Sequence, residues 1–209
     1  MRYITIARQA QAEHTQSRSR FIASVRPVTA EDEALAFIDS TRRAYWDAKH
    51  NVYAYIVREG GAARFSDDGE PPSTAGQPVM EVLRHAGLCD VCMVVTRYFG
   101  GVLLGTGGLV RAYSAAARMA VEAAGTTVMR LCAVLELRYA YAYHGKICAA
   151  AQILGAAVLD TSFAEDVTLK CAVETQRRKA FEERVADICG GEVSITLRDT
   201  RYIAADRDG

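Results

Sequence analysis

Five glycines fall within nine positions of one segment, between an apolar run and an alanine-rich run. The segment, residues 96–117, reads TRYFGGVLLGTGGLVRAYSAAA. Glycine loses more conformational freedom on folding than any other residue, so such a cluster needs a steric or a binding reason. The apolar run Val91–Tyr98 predicts a central strand, and the alanine-rich run predicts a helix from near Leu109 to near Gly125. The chain must therefore pass from sheet to helix through nearly bare backbone.

This bare backbone has two explanations, anion binding and packing. At a helix N-terminus, free N–H groups and the positive end of the helix dipole attract phosphate and carboxylate groups. An anion site would use the loop glycines, one hydroxyl group and nearby cations, namely Arg97, Gly100, Gly101, Gly105, Thr106, Gly107, Gly108, Arg111, Lys49 and His50. If the reason is packing, glycine only avoids a collision between helix and sheet. The residues by themselves leave both explanations open.

Two common nucleotide-binding motifs do not fit the glycine segment. A Walker loop requires a lysine that this segment lacks, and Gly101-Val-Leu-Leu-Gly105 does not match GxGxxG. No acidic residue stands at the distance at which a dinucleotide site contacts the ribose. The sequence therefore excludes both fingerprints.

A second polar cluster, RFSDDGEPPSTAG, precedes the glycine segment at residues 64–76. Three carboxylates within four positions, Asp67, Asp68 and Glu70, are oxygen ligands of the kind that divalent cations prefer, but their spacing is not that of an EF-hand. Ser73 and Thr74 complete this cluster. The simpler interpretation is a solvated turn with helix-capping groups before Pro78. We favour that interpretation and predict no metal and no other cofactor.

Periodicity predicts the other elements of the first half of the chain. Strands are expected at residues 2–8, 19–28 and 51–57. Thr29 is the expected N-cap of a helix through EDEALAFIDSTRRAY, whose acidic first turn suits the helix dipole. Another helix is expected at residues 77–85, with Pro78 in its first turn and Gly87 just past its end.

After Arg130 the expected order becomes strand, helix, strand, strand, helix, strand. The segments are LCAVLELRY, AYHGKICAAAQIL, AAVLDTSF, DVTLKCAVE, QRRKAFEERVADICGG and EVSITLRDT. This βαββαβ order predicts a ferredoxin-like sheet with two helices on one face. We therefore predict an α+β chain of two domains, residues 1–127 and residues 130–203.

Composition and charge exclude several classes of protein. The 25 Lys and Arg residues balance 25 Asp and Glu residues, so any nucleic-acid contact must come from a local patch. The sequence contains neither a membrane-length apolar run nor a signal peptide. We expect a cytoplasmic protein without membrane contact, in which the six cysteines are reduced core thiols. Cys89 and Cys92 form a single CxxC, which is a weak signal for metal or redox chemistry.

Four segments of the first 125 residues resemble a known family. SRSRFIA, KHNVYAY, FSDDGEPPSTAGQPV and VVTRYFGGVLLGTGGLVRAYS look like the successive motifs of the YigZ/IMPACT family. The segment after Leu131 is similar to the smaller C-terminal domain of the bacterial members. Two positions depart from the family pattern: Pro72 stands where glycine or serine is common, and Gln77 stands where lysine is common.

The resemblance implies a first domain with the βαβ fold of the ribosomal-protein and GHMP-kinase type and a ferredoxin-like second domain. Both are similar to domains IV and V of elongation factor G. The eukaryotic relative IMPACT is a translational regulator, and its interaction with a kinase activator is not transferred to this chain. We expect a non-enzymatic binding protein that contacts RNA, the ribosome or a translation-associated protein.

The alternative is a small-molecule enzyme or a nucleotide-binding protein. In that case Asp67, Asp68 and Glu70 would hold Mg²⁺ while the glycine segment holds phosphate. The sequence offers no lysine in the loop and no obvious general base to support this alternative.

Overall fold

The computed structural model describes residues 2–205, which divide into two units. The first unit is Tyr3–Val128, and the second comprises Arg2 and the described residues from Met129 onward. Residues 2–205 form two sheets and five α-helices, so the fold class is α+β. Within residues 2–205, none of the helices combines the length and the apolar character that crossing a bilayer requires.

The first unit contains three helices and the strands that precede and separate them. The described chain begins with β1 (Arg2–Ile6), whose first residue belongs to the second unit. The elements that follow are β2 (Ala10–Gln16), β3 (Ser19–Pro27), α1 (Glu31–Ala44), β4 (His50–Ile56), β5 (Ala63–Ser66), α2 (Gly76–His85), β6 (Val91–Tyr98) and α3 (Gly105–Ala124).

Strand β6 forms the centre of the first unit's sheet, as its apolar sequence predicts. The strand order is β2-β3-β6-β4-β5, and every neighbouring pair is antiparallel. Successive side chains of a strand point to opposite faces. Met93 and Val95 therefore pack in one cluster with α2 and α3, while Cys92 and Val94 pack in another with α1. The first unit thus has helices on both faces of its sheet.

The two edge strands of this sheet were not predicted from the sequence. Strand β2 reads AQAEHTQ, and β5 has only the four residues ARFS. An edge strand with one solvated face carries few apolar side chains, so alternation is hard to detect. Ala10 and Ala12 of β2 nevertheless pack against the core, because small side chains fit beneath α3.

Helix α1 does not use Thr29 as its N-cap, so that prediction is wrong. The helix begins at Glu31, its N-cap is Ala30, and no side chain caps it. Instead the Glu33 carboxylate reaches back and accepts hydrogen bonds from the Thr29 backbone N–H at 2.7 Å and from the Thr29 hydroxyl at 3.2 Å. The backbone N–H bond is the main cause that lowers the pKa of Glu33. The arrangement resembles the acidic half of a capping box.

Helix α2 ends as the sequence predicts. Gly87 has a φ of +64°, a value that glycine adopts without strain. Its N–H donates to the Arg84 carbonyl at 2.9 Å, and the Leu88 N–H donates to the Leu83 carbonyl at 3.0 Å. These two hydrogen bonds form a Schellman motif, which satisfies the last carbonyl groups of the helix.

The second unit has the predicted βαββαβ order. Its elements are β7 (Thr126–Tyr139), α4 (His144–Ile153), β8 (Ala157–Phe163), β9 (Val167–Glu174), α5 (Arg178–Ile188) and β10 (Ser194–Ala204). Their strand order is β10-β7-β9-β8, with antiparallel neighbours throughout. Ile147 of α4 and Phe181 of α5 are buried in one core cluster with Leu135 and Leu169 of the sheet.

Candidate anion-binding site

The glycine segment lies at the end of the sheet where β6 stops, together with parts of several other elements. Tyr98 pairs with Arg20 near the start of β3, and Arg97 pairs with His50, the first residue of β4. Strand β5 ends at Ser66 on this side, and the β2–β3 hairpin also closes here. Two segments therefore meet at this end: the acidic loop, residues 66–76, and the glycine loop, residues 99–108.

Asp67 of the acidic loop organises the chain just before helix α2. One carboxylate oxygen, Oδ1, accepts hydrogen bonds from the backbone N–H groups of Ala75 at 3.1 Å and Gly76 at 2.8 Å. The other oxygen, Oδ2, accepts from the N–H of Ser73 at 2.9 Å. Asp67 therefore satisfies amides at the helix start that would otherwise lack partners. The sequence predicts helix-capping groups in this loop, and Asp67 fills that role, but the predicted solvated turn is wrong for Glu70 and Thr74, which are buried.

Asp68 connects the acidic loop to β4 and to α1. Its Oδ2 accepts from the backbone N–H of Asn51 at 2.6 Å, and its Oδ1 accepts from the Arg42 guanidinium at 2.9 Å. The Asp68 backbone carbonyl lies 2.8 Å from Nδ1 of His50. His50, a predicted anion contact, is thus engaged by the acidic loop.

Glu70 joins the acidic loop to β6 and α3 through a buried ion pair. Its Oε1 accepts from Nη1 of Arg97 and from the Tyr113 hydroxyl, each at 2.7 Å. The side chains of Glu70 and Arg97 are only 3% and 8% exposed. Burial first, and then the Glu70 carboxylate, raise the pKa of Tyr113 far above its usual value. Removing one partner of a buried pair leaves an uncompensated charge, so this network stabilises the fold of the first unit.

Arg97 is therefore much less accessible than an open anion-binding cation. Its guanidinium lies 5.5 Å from the ring centre of Phe21 and 5.6 Å from that of Phe99, within the range of cation–π attraction. Within residues 2–205, its buried Nε has no hydrogen-bond partner. Arg97 holds the two loops together, and the open positive charge at this end must come from other residues.

Each carboxylate of the acidic loop accepts hydrogen bonds within the protein. The Thr74 hydroxyl is also bonded within the loop, because it donates to the Pro71 carbonyl at 2.7 Å. Among the residues that the structure describes, no group of three or more His, Cys, Asp or Glu side chains is placed to hold a metal ion. The geometry therefore supports the capping interpretation of this loop.

Packing explains one part of the glycine loop. A Cβ atom at Gly100 would collide with the carbonyl group of Arg18 in the β2–β3 turn. The Gly100 N–H donates to the Ser19 hydroxyl at 3.1 Å, so this amide is satisfied. At Gly108, a Cβ would lie 3.0 Å from Cβ of Leu104. These two glycines allow close approach of neighbouring chain segments.

The rest of the glycine loop is exposed and opens a helix. Helix α3 begins at Gly105, earlier than the position near Leu109 that the sequence predicts. Its N-cap is Leu104, and Thr106, the expected capping hydroxyl, lies in the first turn and makes no capping hydrogen bond. The first N–H groups of a helix have no partner within the helix. Gly105, Thr106 and Gly107 therefore present exposed amides at the positive end of the helix dipole.

Open cations lie on the segments around this helix start. Arg18, Lys49 and Arg111 are exposed, and none forms an ion pair with a carboxylate among residues 2–205. A Cβ at Gly107 would lie 3.6 Å from Nη1 of Arg111, which places this guanidinium beside the first turn of α3. Arg18 was not among the site residues predicted from the sequence. Its position in the two-residue turn between β2 and β3 was the available signal, because such a turn cannot bury a long side chain.

Exposed apolar side chains accompany these cations. Phe99 is 53% exposed and Leu103 is 88% exposed, both in the glycine loop. Large apolar side chains that are exposed close together on a surface often mark an interaction site.

Residues 17–121 match the Impact N-terminal domain, and residues 137–192 match a domain of unknown function, DUF1949. This chain belongs to the IMPACT family. The first match contains both loops described above, and the second lies within the second unit.

Similar proteins cover nearly the whole chain. IMPACT family member YvyE of Bacillus subtilis is 33% identical over 202 residues, which is 96% of this chain and 93% of that protein. IMPACT family member YigZ of Escherichia coli is 31% identical over 184 residues, 85% of this chain and 89% of that protein. A solved structure titled "Crystal structure of an hypothetical protein" is 28% identical, covers 95% of this chain and 98% of its own, and has a TM-score of 0.62.

Proposed function

We propose that this chain is a non-enzymatic binding protein linked to translation, which contacts RNA, the ribosome or a translation-associated partner. The contact surface is the glycine-loop end, which we define as the glycine loop together with Arg18, Lys49 and Arg111. Membership of the IMPACT family supports a regulatory role of this kind. The chain acts without membrane contact, in the cytoplasm.

The fold supports the same proposal by analogy. The order β10-β7-β9-β8 with two helices supports the assignment of a ferredoxin-like fold to the second unit. We propose that the first unit has the ribosomal-protein and GHMP-kinase type of fold, so that the two units correspond to domains IV and V of elongation factor G. Fold analogy alone does not establish activity, so the proposal depends on the site.

The observation that carries the proposal is the coincidence of open amides and open cations at one end. Gly105, Thr106 and Gly107 start α3 without a side-chain cap. Arg111 lies beside them and Lys49 is exposed on the approach to β4. Helix amides and guanidinium forks both contact phosphate oxygens well. A phosphate backbone is the ligand that offers such oxygens in series.

The geometry does not support the rival hypothesis of a Mg²⁺-dependent enzyme. That hypothesis requires Asp67, Asp68 and Glu70 to present free oxygens to a cation. Each of these carboxylates instead accepts hydrogen bonds from the chain itself. Binding a metal there would break contacts that hold α2, β4 and β6 together.

The test is the salt dependence of RNA binding by the full chain. Fluorescence anisotropy with a structured RNA, from about 50 to about 200 mM salt, gives the number of neutralised phosphates from the slope of log K against log salt concentration. We expect Arg111→Gln and Lys49→Gln each to reduce the magnitude of the slope by about 0.9 on a duplex. Purified ribosomes are the second ligand in the same series.

Arg118→Gln is the matched control, because Arg118 lies on the same helix about 20 Å from its start, at 1.5 Å per residue. We expect this variant to bind like the wild type. Absence of salt-dependent binding to RNA and ribosomes would overturn the RNA proposal, as would equal losses in Arg118→Gln and Arg111→Gln. Recovery of one stoichiometric protein after nuclease treatment would instead identify a translation-associated protein partner.

A further inference from the structure

A cationic cavity in the second unit has no part in the function proposed above. It has a volume of about 420 Å³ and is lined by Arg2, Arg130, Glu174, Gln176 and Arg177. Three guanidinium groups against one carboxylate give its lining a formal charge of +2. Like charges gathered around one space create a potential that attracts an anion. We name this space the arginine cavity.

The protein framework holds two of the three guanidinium groups in place. Nη1 of Arg130 donates to Oε1 of Glu174 at 2.7 Å, and both residues lie on neighbouring strands of the sheet. The Arg177 backbone N–H donates to the Glu174 carbonyl at 2.8 Å, while its Nη1 donates to the Leu154 carbonyl at 3.3 Å. An arginine positioned in advance loses less conformational entropy when it binds a ligand.

The helix that starts beside the cavity adds to its positive potential. Arg177 is the N-cap of α5, an 11-residue helix that no side chain caps. Its first turn contains no acidic residue that would offset the positive end of the helix dipole. Gln176 adds a neutral amide group that can donate hydrogen bonds.

We infer that the arginine cavity binds a dianionic phosphate group, such as the terminal phosphate of a nucleotide or the 5′-phosphate of an RNA end. A phosphate monoester has a charge of about −1.5 to −2 at pH 7 and accepts several strong hydrogen bonds. This charge matches the +2 of the lining, and guanidinium forks bind phosphate with two parallel hydrogen bonds. The volume leaves room for the sugar that bears the phosphate. The inference is independent of the glycine-loop end.

The experiment is isothermal titration calorimetry of the full chain at low ionic strength in chloride buffer. The probes are inorganic phosphate, a nucleoside 5′-monophosphate and the unphosphorylated nucleoside. We expect both phosphates to bind and the nucleoside to give no heat. Arg177→Gln and Arg2→Gln should each weaken phosphate binding about tenfold, because each removes a charge-assisted contact.

Two further variants separate phosphate binding from a structural role. Glu174→Gln raises the formal lining charge from +2 to +3, so we expect it to tighten phosphate binding several-fold. Lys146→Gln, an exposed cation on α4 outside this cavity, should bind like the wild type.

The source of the phosphate is distinguished by RNA oligonucleotides with either a 5′-phosphate or a 5′-hydroxyl. Tighter binding of the 5′-phosphorylated oligonucleotide, lost in Arg177→Gln, assigns the cavity to RNA ends. Binding of the nucleotide alone assigns it to small phosphorylated molecules. The inference is overturned if neither phosphate nor nucleotide binds the wild type, or if Lys146→Gln weakens binding as much as Arg177→Gln. A Glu174→Gln variant that folds but binds more weakly also overturns it.

Discussion

The acidic loop and the glycine loop meet at one end of the first unit, yet their polar groups have opposite uses. In the acidic loop, Asp67, Asp68 and Glu70 all accept hydrogen bonds from the rest of the chain. In the glycine loop, no side chain among residues 2–205 caps the start of α3, and the nearby Arg111 forms no ion pair with a carboxylate of that range. The comparison shows that the acidic loop, the more highly charged of the two segments, supports the fold. The segment with almost no side chains is the one left open to a ligand.

The largest expected effect comes from removing the Glu70 carboxylate. Glu70→Ala leaves the Arg97 guanidinium buried and uncompensated, and it also removes the acceptor of the Tyr113 hydroxyl. Breaking a buried pair in this way should lower the free energy of unfolding by about 3–5 kcal/mol. Urea denaturation measures the change.

An exposed glutamate provides the control for this prediction. Glu81→Ala on α2 removes a surface ion pair in which Nη1 of Arg84 lies 3.4 Å from Oε1 of Glu81. This change should lower the free energy of unfolding by less than about 1 kcal/mol. If Glu70→Ala were no more destabilised than Glu81→Ala, the acidic loop would not support the fold, and the comparison between the loops would be lost.

Two glycines of the same loop should respond to alanine in opposite directions. Gly100→Ala forces a methyl group against the Arg18 backbone, so we expect the free energy of unfolding to fall by about 3 kcal/mol. At Gly107, which lies inside a helix, an added methyl group would meet only Nη1 of Arg111. We therefore expect Gly107→Ala to raise the free energy of unfolding by about 0.5–1 kcal/mol. Chemical denaturation of both variants decides the matter. Equal losses in the two would mean that the whole loop is packed, with no open half.

A smaller effect tests the Tyr113 hydroxyl at high pH. Burial and the Glu70 carboxylate raise the pKa of Tyr113 above its usual value of 10.0, so the folded protein keeps the phenol neutral while the unfolded chain ionises it. The contribution of the Tyr113 hydroxyl to the free energy of unfolding is fully present below about pH 10, and it falls as the pH rises further. At neutral pH, the free energy of unfolding of Tyr113→Phe should be about 2 kcal/mol lower than that of the wild type.

The slope of stability with pH gives the readout. Between about pH 10 and pH 11, the free energy of unfolding of Tyr113→Phe should decline less steeply than that of the wild type. Urea midpoints at pH 8, 10 and 11 provide the comparison. Parallel declines would show that the Tyr113 hydroxyl is not held neutral by the Glu70 network.

Local patterns were enough to predict much of the fold. The apolar run of β6 gave its central position, Gly87 gave the end of α2, and the βαββαβ order gave the elements of the second unit. The edge strand β2 was missed because its polar sequence packs only small side chains against the core. Helix α3 starts at Gly105 because Leu109 and Tyr113 pack into the core, and this tertiary packing outweighs the low helix propensity of glycine.

The candidate site depended on contacts that a sequence pattern does not reveal. Glu70 meets Arg97 and Tyr113 across separations of 27 and 43 residues, so the sequence could not show which carboxylates turn inward. For the same reason Arg97 looked like an open cation although its side chain is buried. The glycine cluster itself was visible, because its composition alone identified a segment with unusual backbone requirements.

The most direct measurement is an NMR titration of the ¹⁵N-labelled full chain with a structured RNA at low salt. If the glycine-loop end is the contact surface, the amide resonances of Gly105, Thr106 and Gly107 shift in proportion to the RNA added. Resonances of Ser73 and Ala75, whose amides are bonded to Asp67, shift much less. Saturable shifts that leave residues 105–107 unchanged, or that are largest in the acidic loop, would contradict the proposed division between an open loop and a supporting loop.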